Sequence, residues 1–257
     1  YRVSDFIAAA YRLGVDVTIG SNEQVLEAIT EGRTVTINFS NTDMAVNEIK
    51  VFHTSYPITA IVAVDDATGI IASIASLELG FKHNDPKAIK ATSNKLLLRQ
   101  ALTRADISSP NYKSIALDDD PKLRARDIDY PCVLKPLNLS ASQGVIRANT
   151  QIEFVKAFDR IKTLLLDTKQ RTQTKILIED YIEGEEVALE GLMVDGKLNV
   201  LALFDKPEPL EGPYFEETIY ITPSRKTKEI QNTIKNMAEQ AANSIGLKEG
   251  PLHIELR

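Results

Sequence analysis

The stretch Ile176-Leu-Ile-Glu-Asp-Tyr-Ile-Glu-Gly-Glu-Glu-Val-Ala-Leu-Glu190 sets an acidic, hydrogen-bond-rich hinge between two apolar strands. Around it, helix and strand patterns alternate along the chain, which predicts an α/β fold. Over roughly the first 90 residues the alternation suits a parallel layer. Ser4 can cap a helix that runs to Leu13 and stops at Gly14. Val15–Ile19 and Thr34–Asn38 read as strands, and Asn22 caps a short helix to about Ala28. Another helix starts at Thr42. Ile58–Val64 is an unbroken apolar run, as expected of a buried strand. A helix from about Thr68 to Leu79 ends at Gly80. Asp65 and Asp66 stand where parallel strands open ligand crevices, yet they serve equally well as helix caps.

The next segments are helical through residue 105, with Ser93 as a cap, and Ser108-Ser-Pro110 closes them. Asp118-Asp-Asp-Pro121 is a turn or solvated loop. Cys132–Lys135, Gly144–Arg147 and Lys175–Glu179 follow as strands. Thr150 and Glu153 form a capping box for a helix through about Leu166. Asp195-Gly196 joins the strands Glu185–Val194 and Lys197–Phe204 in a hairpin. Thr222 and Pro223 open a long helix whose Ile230, Ile234, Met237, Ala241 and Ile245 keep helical spacing, with Gly246 as its stop.

With 257 residues, 43% hydrophobic and 26% charged, the chain suits one large domain or two modest ones. A net charge of −6 argues against a nucleic-acid footprint, which needs a basic surface. The single cysteine, Cys132, excludes an intrachain disulfide and a thiolate zinc cluster, and fits a reducing cytoplasm. The longest apolar runs fall far short of the ~20 residues of a membrane span, and no signal-peptide pattern is present. The chain starts without Met inside a helix pattern and stops at Arg257 inside a strand pattern. We therefore expect a piece of a longer protein, with an opening strand before Tyr1.

Four segments carry candidate chemistry. Lys135 shares a strand face with Val133, so it either reaches solvent from an edge or meets a counter-charge such as phosphate. The loop Leu137–Val145 holds Ser140, Ser142 and Gly144, small residues whose N–H groups and hydroxyls can approach phosphate oxygens. It has no Walker A spacing, and an ordinary hairpin loop reads the same way. The hinge Glu179–Glu186 offers backbone and carboxylates to a purine edge and ribose hydroxyls, or is a charged surface turn. At the C-terminus His253, Glu255 and Arg257 fall on one strand face, with Leu252, Ile254 and Leu256 on the other. A carboxylate such as Glu255 can bind Mg²⁺, for which imidazole is a poor ligand.

Taken in order, these segments resemble the ATP-grasp superfamily. The motifs are Ser93-Asn-Lys95 with Leu96-Leu-Leu-Arg99, Tyr130-Pro-Cys-Val-Leu-Lys135-Pro136, and the Ser-x-Ser-x-Gly-Val loop. Ile178-Glu-Asp-Tyr-Ile-Glu-Gly-Glu-Glu186 and Gly250-Pro-Leu-His-Ile-Glu255-Leu-Arg257 complete the set. The ending, with Asp205-Lys-Pro-Glu-Pro-Leu-Glu-Gly-Pro213, is most similar to the carboxylate–amine ligase branch, which includes L-amino-acid ligases and carnosine synthase. The resemblance implies a Rossmann-like preceding domain over residues 1–88 and an α+β grasp over 89–257, with a mobile lid at about 115–180.

It further implies that Lys95 and Lys135 hold the ATP phosphates, and that Ser140, Ser142 and Gly144 close over them. Glu179 with the backbone of Asp180, Tyr181 and Ile182 reads adenine, Glu186 takes the ribose, and Glu255 binds Mg²⁺, or Mn²⁺ in its place. Arg257 and Lys206 are the implied catalytic residues, and some of Lys206, Glu208, Glu216 and Glu217 contact substrate or metal. The implied partners are a small-molecule carboxylate and amine, with a homodimer as the common assembly. A bicarbonate-using carboxylase and a non-catalytic nucleotide-binding protein are the alternatives. Two departures stand out: the phosphate loop has one glycine where many relatives have several, and a second metal-binding stretch would lie beyond Arg257.

Overall fold

The computed structural model describes residues 3–22, 33–167, 174–216 and 219–257. The chain divides into two compact units, Tyr1–Ile89 and Lys90–Arg257. In the first, helix α1 (Val3–Leu13) leads to strand β1 (Thr18–Ser21), which pairs in parallel with β2 (Arg33–Thr36). Helix α2 (Thr42–Ser55) is capped by Asn41, and α3 (Asp66–Leu79) by Asp65, whose carboxylate accepts from the Thr68 N–H at 2.9 Å. Asp65 is thus a helix cap. The helix ends on Gly80 at φ 73°, a left-handed position that glycine adopts without steric cost. Ile37, Ala45, Val46, Ile49, Ile71 and Ala75 form the core of this unit.

Ile58–Val64 departs from expectation. It is not a strand, and Val62 is 61% exposed. Ile58 and Ile61 lean on the α2–α3 core instead. An apolar run becomes a buried strand only where neighbours supply a ladder, and no strand pairs with this one among the described residues. The first strand also starts later than expected, at Thr18, and the helix expected from Asn22 lies outside the described residues.

Helix α4 (Pro86–Thr92) is followed by α5 (Lys95–Arg104). Asn94, not Ser93, caps α5, its side-chain oxygen accepting from the Leu96 and Leu97 N–H groups at 3.1 Å. Strand β3 (Tyr112–Ala116) has no counterpart in the expectation, because its sequence Tyr-Lys-Ser-Ile-Ala alternates too weakly. A short helix α6 (Pro121–Arg124), capped by Asp120, precedes β4 (Cys132–Pro136) and β5 (Ile146–Ala148). Helix α7 (Gln151–Asp167) and β6 (Lys175–Asp180) complete a four-stranded sheet of order β3-β6-β4-β5. In the capping box, Thr150 accepts from the Glu153 N–H, while Glu153 accepts from the Asn149 N–H, one residue earlier than the motif requires. Leu134, Ile176 and Ile178 on one face of this sheet pack with Phe154, Phe158, Ile161 and Leu165 of α7.

The second sheet, of order β8-β7-β9, comprises β7 (Glu186–Val194), β8 (Lys197–Lys206) and β9 (Gly250–Leu256). Asp195 at φ 49° and Gly196 at φ 77° make the tight turn that their sequence predicts. Helix α8 (Lys228–Ile245) packs against β8. It starts five residues after Pro223, with Thr227 as its cap; the expected Thr222–Pro223 start lies in the preceding loop.

Candidate active site

Pairing in the four-stranded sheet decides which side chains meet. Val133 lies opposite Glu179, and Lys135 opposite Leu177. Directly opposed residues share a face, so Glu179 and Lys135 stand on the face away from α7. Lys135 is therefore on an interior strand and not on an edge in solvent. Its ammonium donates to Glu179 Oε2 at 2.5 Å. From α5, Arg99 donates to both oxygens of the same carboxylate, through Nε to Oε1 at 2.6 Å and Nη2 to Oε2 at 3.3 Å. Glu179 is only 3% exposed. Burial opposes its ionisation, but the charges of Lys135 and Arg99 outweigh that and hold its pKa below the ordinary carboxylate value.

Lys95 completes this cationic cluster. Its backbone N–H donates to Leu137 O at 2.9 Å, and its ammonium to Leu139 O at 2.5 Å. Both acceptors belong to the Ser140–Gly144 loop region, so the start of α5 is tied to that loop. Burial, aided by the positive charge of Lys135, lowers the Lys95 pKa to about 8. In the loop, Ser140 and Ser142 are exposed, and Ala141, Ser142 and Gly144 all have φ between 52° and 72°. Gly144 is required there, since a Cβ would come within 2.8 Å of Pro136 Cγ.

In the hinge after β6, the Asp180 N–H donates to Asn111 O and the Tyr181 N–H to Pro131 O. Ile182 O accepts from Arg257 at 3.1 Å. Two guanidinium groups lie over the Tyr181 ring, Arg147 at 3.9 Å and Arg257 at 5.4 Å from its centroid.

A second cluster covers one face of the three-stranded sheet. Register places Glu186 opposite Lys206, Glu255 opposite Ala188, and His253 opposite Glu190. Lys206 is 6% exposed, and its ammonium binds Glu186 at 2.6 Å and Glu255 at 2.5 Å. Arg257 Nη2 lies 3.2 Å from Glu186 Oε2 and also donates to Leu210 O at 2.8 Å. Arg257 Nε is buried without a hydrogen-bond partner. His253 lies 3.7 Å from Glu255 and 2.8 Å from Glu190, and these carboxylates raise its pKa to about 9. Glu208 and Glu216 are exposed, and Glu217 lies outside the described residues.

Among the described residues no group of three His, Cys, Asp or Glu side chains could hold a metal ion. Glu255, 43% exposed at its side chain, instead suits a Mg²⁺ that takes its other ligands from water and phosphate.

The structure thus gathers Lys95, Lys135 and Glu179 in one cluster, and Glu186, Lys206, Glu255 and Arg257 in another. Arg99 joins the first without having been assigned a role from the sequence. Its signal was the Lys95-x-x-x-Arg99 spacing, which stacks two cations on one helical face. Glu190 joins the second cluster, and only the strand register reveals it.

Comparison with known proteins shows the family to which the chain belongs. A family model for the ATP-grasp domain matches residues 128–257, and one for the ATP-grasp N-terminal domain matches residues 7–82. Alanine–anticapsin ligase of Bacillus subtilis (strain 168) is 26% identical over 195 residues, covering 70% of this chain and 41% of its own. A D-alanine–D-alanine ligase of Campylobacter concisus (strain 13826) is 25% identical over 176 residues, covering 66% and 46%. The crystal structure of L-amino acid ligase from Bacillus licheniformis superposes with a TM-score of 0.83 at 24% identity, over 98% of this chain and 61% of that one. The biotin carboxylase domain of 2-oxoglutarate carboxylase from Hydrogenobacter thermophilus gives 0.72 at 19% identity, over 98% and 58%. The chain spans less than half the length of these two curated relatives.

Proposed function

The chain belongs to the ATP-grasp family, and from that premise we propose that it is part of an ATP-dependent carboxylate–amine ligase. The observation that carries this reading is the cluster of Lys95, Lys135 and Arg99 around one carboxylate, beside a loop of small residues. Three cations against one carboxylate leave a positive surplus that suits a triphosphate. In the proposed reaction a substrate carboxylate oxygen attacks the γ-phosphorus of ATP, giving an acyl phosphate and ADP. The amine then attacks the acyl carbon, phosphate leaves, and an amide forms.

Lys95 and Lys135 hold the phosphates, and the Ser140–Gly144 loop closes over them and keeps water from the acyl phosphate. Within the hinge, the Asp180 and Tyr181 N–H groups are committed to Asn111 and Pro131, so we assign the purine to the Ile182 N–H. Glu179, buried and doubly paired, supports that hinge from below and does not itself turn toward the base. Glu186 faces the ribose, and Arg257 and Lys206 face the acyl phosphate. Glu255 would hold Mg²⁺ or Mn²⁺, which supplies charge neutralisation to the phosphates when bound. We read residues 1–88 as the preceding domain and about 115–180 as the lid. Cys132, free and buried, suits a protein of the reducing cytoplasm.

The test is phosphate release from ATP and Mg²⁺ with a panel of amino acids, singly and in pairs. Release that needs both an acid and an amine, and is abolished by Lys135→Ala, supports the ligase. The fold shared with a biotin carboxylase domain favours one competing reading, bicarbonate activation. ATP hydrolysis that depends on bicarbonate alone would move the assignment there.

A further inference from the structure

We propose that Lys206 is a place-holding cation: before a divalent ion arrives, its ammonium occupies the gap between Glu186 and Glu255, and the ion must displace it from Glu255. This rests on the reading of Glu255 as a metal ligand. The geometry is asymmetric in a way that assigns the two ends different tasks. Glu186 lies directly across the β7–β8 ladder from Lys206, so that pair is fixed by register. Glu255, on β9, lies across from Ala188 of β7, and Lys206 reaches it diagonally over β7. The Glu186 side chain is 18% exposed and that of Lys206 3%, whereas Glu255 is 43% exposed. Solvent therefore meets Glu255 first, and Lys206 sits beneath it.

A lysine this buried must keep its charge compensated. Two carboxylate oxygens held on one nitrogen at 2.6 and 2.5 Å would repel each other without it. The ammonium and the ion thus compete for the same negative charge. Once an ion takes Glu255, Lys206 keeps Glu186 as its anchor and is released on its outer side. There it can turn to the anionic substrate. One residue would then report metal loading to the reacting groups, and an ion-free site would be held closed to stray divalent ions.

The experiment is a Mn²⁺ titration of the nucleotide-free full-length protein, with free Mn²⁺ read by electron paramagnetic resonance. Lys206→Met should bind Mn²⁺ at least about tenfold more tightly than the unaltered chain, as expected when a unit positive charge leaves a partly buried site. Adding Glu255→Gln to that variant should abolish the gain. Equal or weaker binding by Lys206→Met overturns the proposal. If Lys206→Met folds only when Mn²⁺ is present, the ion has replaced the ammonium, which also supports it. If it folds under neither condition, Lys206→Gln decides: tighter binding supports displacement, and unchanged binding rejects it. No substrate enters these measurements, so an inactive ligase assay leaves their outcome intact.

Discussion

Each of the two clusters is centred on one buried ion, a carboxylate in the first and an ammonium in the second. In the first, one buried carboxylate, Glu179, is held by Lys135 and Arg99 with Lys95 beside them. In the second, one buried ammonium, Lys206, is held by Glu186 and Glu255. Each is built around an ion that could not be buried alone. The first leaves a positive surplus at its edge, whereas in the second Arg257 and His253 join Lys206 in offsetting Glu186, Glu255 and Glu190, so the charges balance. The two centres are equally buried, and the difference in depth lies in their partners: the Lys135 and Arg99 side chains are each 21% exposed, whereas that of Glu255 is 43% exposed. The first cluster is therefore expected to matter most to folding, and the second most to turnover.

Glu179→Gln should break this contrast hardest. It removes the centre of a buried network and leaves Lys135 and Arg99 facing each other, at about 3 kcal/mol of stability by urea denaturation. A loss under about 1 kcal/mol would mean the network is solvated and the contrast in depth is wrong. Glu255→Gln should do the reverse. Substrate-dependent phosphate release should fall roughly 100-fold, while the urea midpoint hardly moves, because Lys206 retains Glu186. Equal damage to both quantities would erase the distinction.

The smallest effect concerns pH. Folding lowers the Lys95 pKa to about 8, so above that pH the folded chain holds fewer protons than the unfolded one. The share of stability set by Lys95 therefore rises from about pH 8 toward 10.5, the opposite of a lysine that gains a partner. ATP should restore the proton, so its affinity should decline by less than about tenfold per pH unit above pH 8. Calorimetry in two buffers of different ionisation enthalpy should show proton uptake on ATP binding near pH 8.5. Lys95→Gln should lose that uptake, and its persistence would assign the proton elsewhere.

What the sequence revealed follows from how local each feature is. The Asp195-Gly196 hairpin and the polar face of His253, Glu255 and Arg257 are written in adjacent residues, and both were legible. The Glu179 network was not, because Arg99 lies 80 positions away and Lys135 lies 44 positions away. Only strand order brings them together, and no periodicity encodes which strand lies beside which. The diagonal from Lys206 to Glu255 depends in the same way on β7 lying between β8 and β9. Residues 58–64 failed for the converse reason. Their apolar run fits a buried strand, yet a strand also needs a ladder partner, which composition cannot supply. Helix starts moved where two capping residues compete nearby, as with Ser93 and Asn94.

The beginning of α5 has one more consequence. Its first three N–H groups are all engaged inside the protein, Lys95 with Leu137 O, and Leu96 and Leu97 with Asn94. A fixed nest of amides is therefore not what that helix offers an anion. It offers a charge at the end of a four-carbon stem, and Lys135 offers another. Amides on a rigid backbone would grip one position of a phosphate well and every other position poorly. Ammonium groups on jointed stems can travel, so in the proposed reaction the same hold would follow the phosphoryl group from the oxygen it leaves to the oxygen it joins.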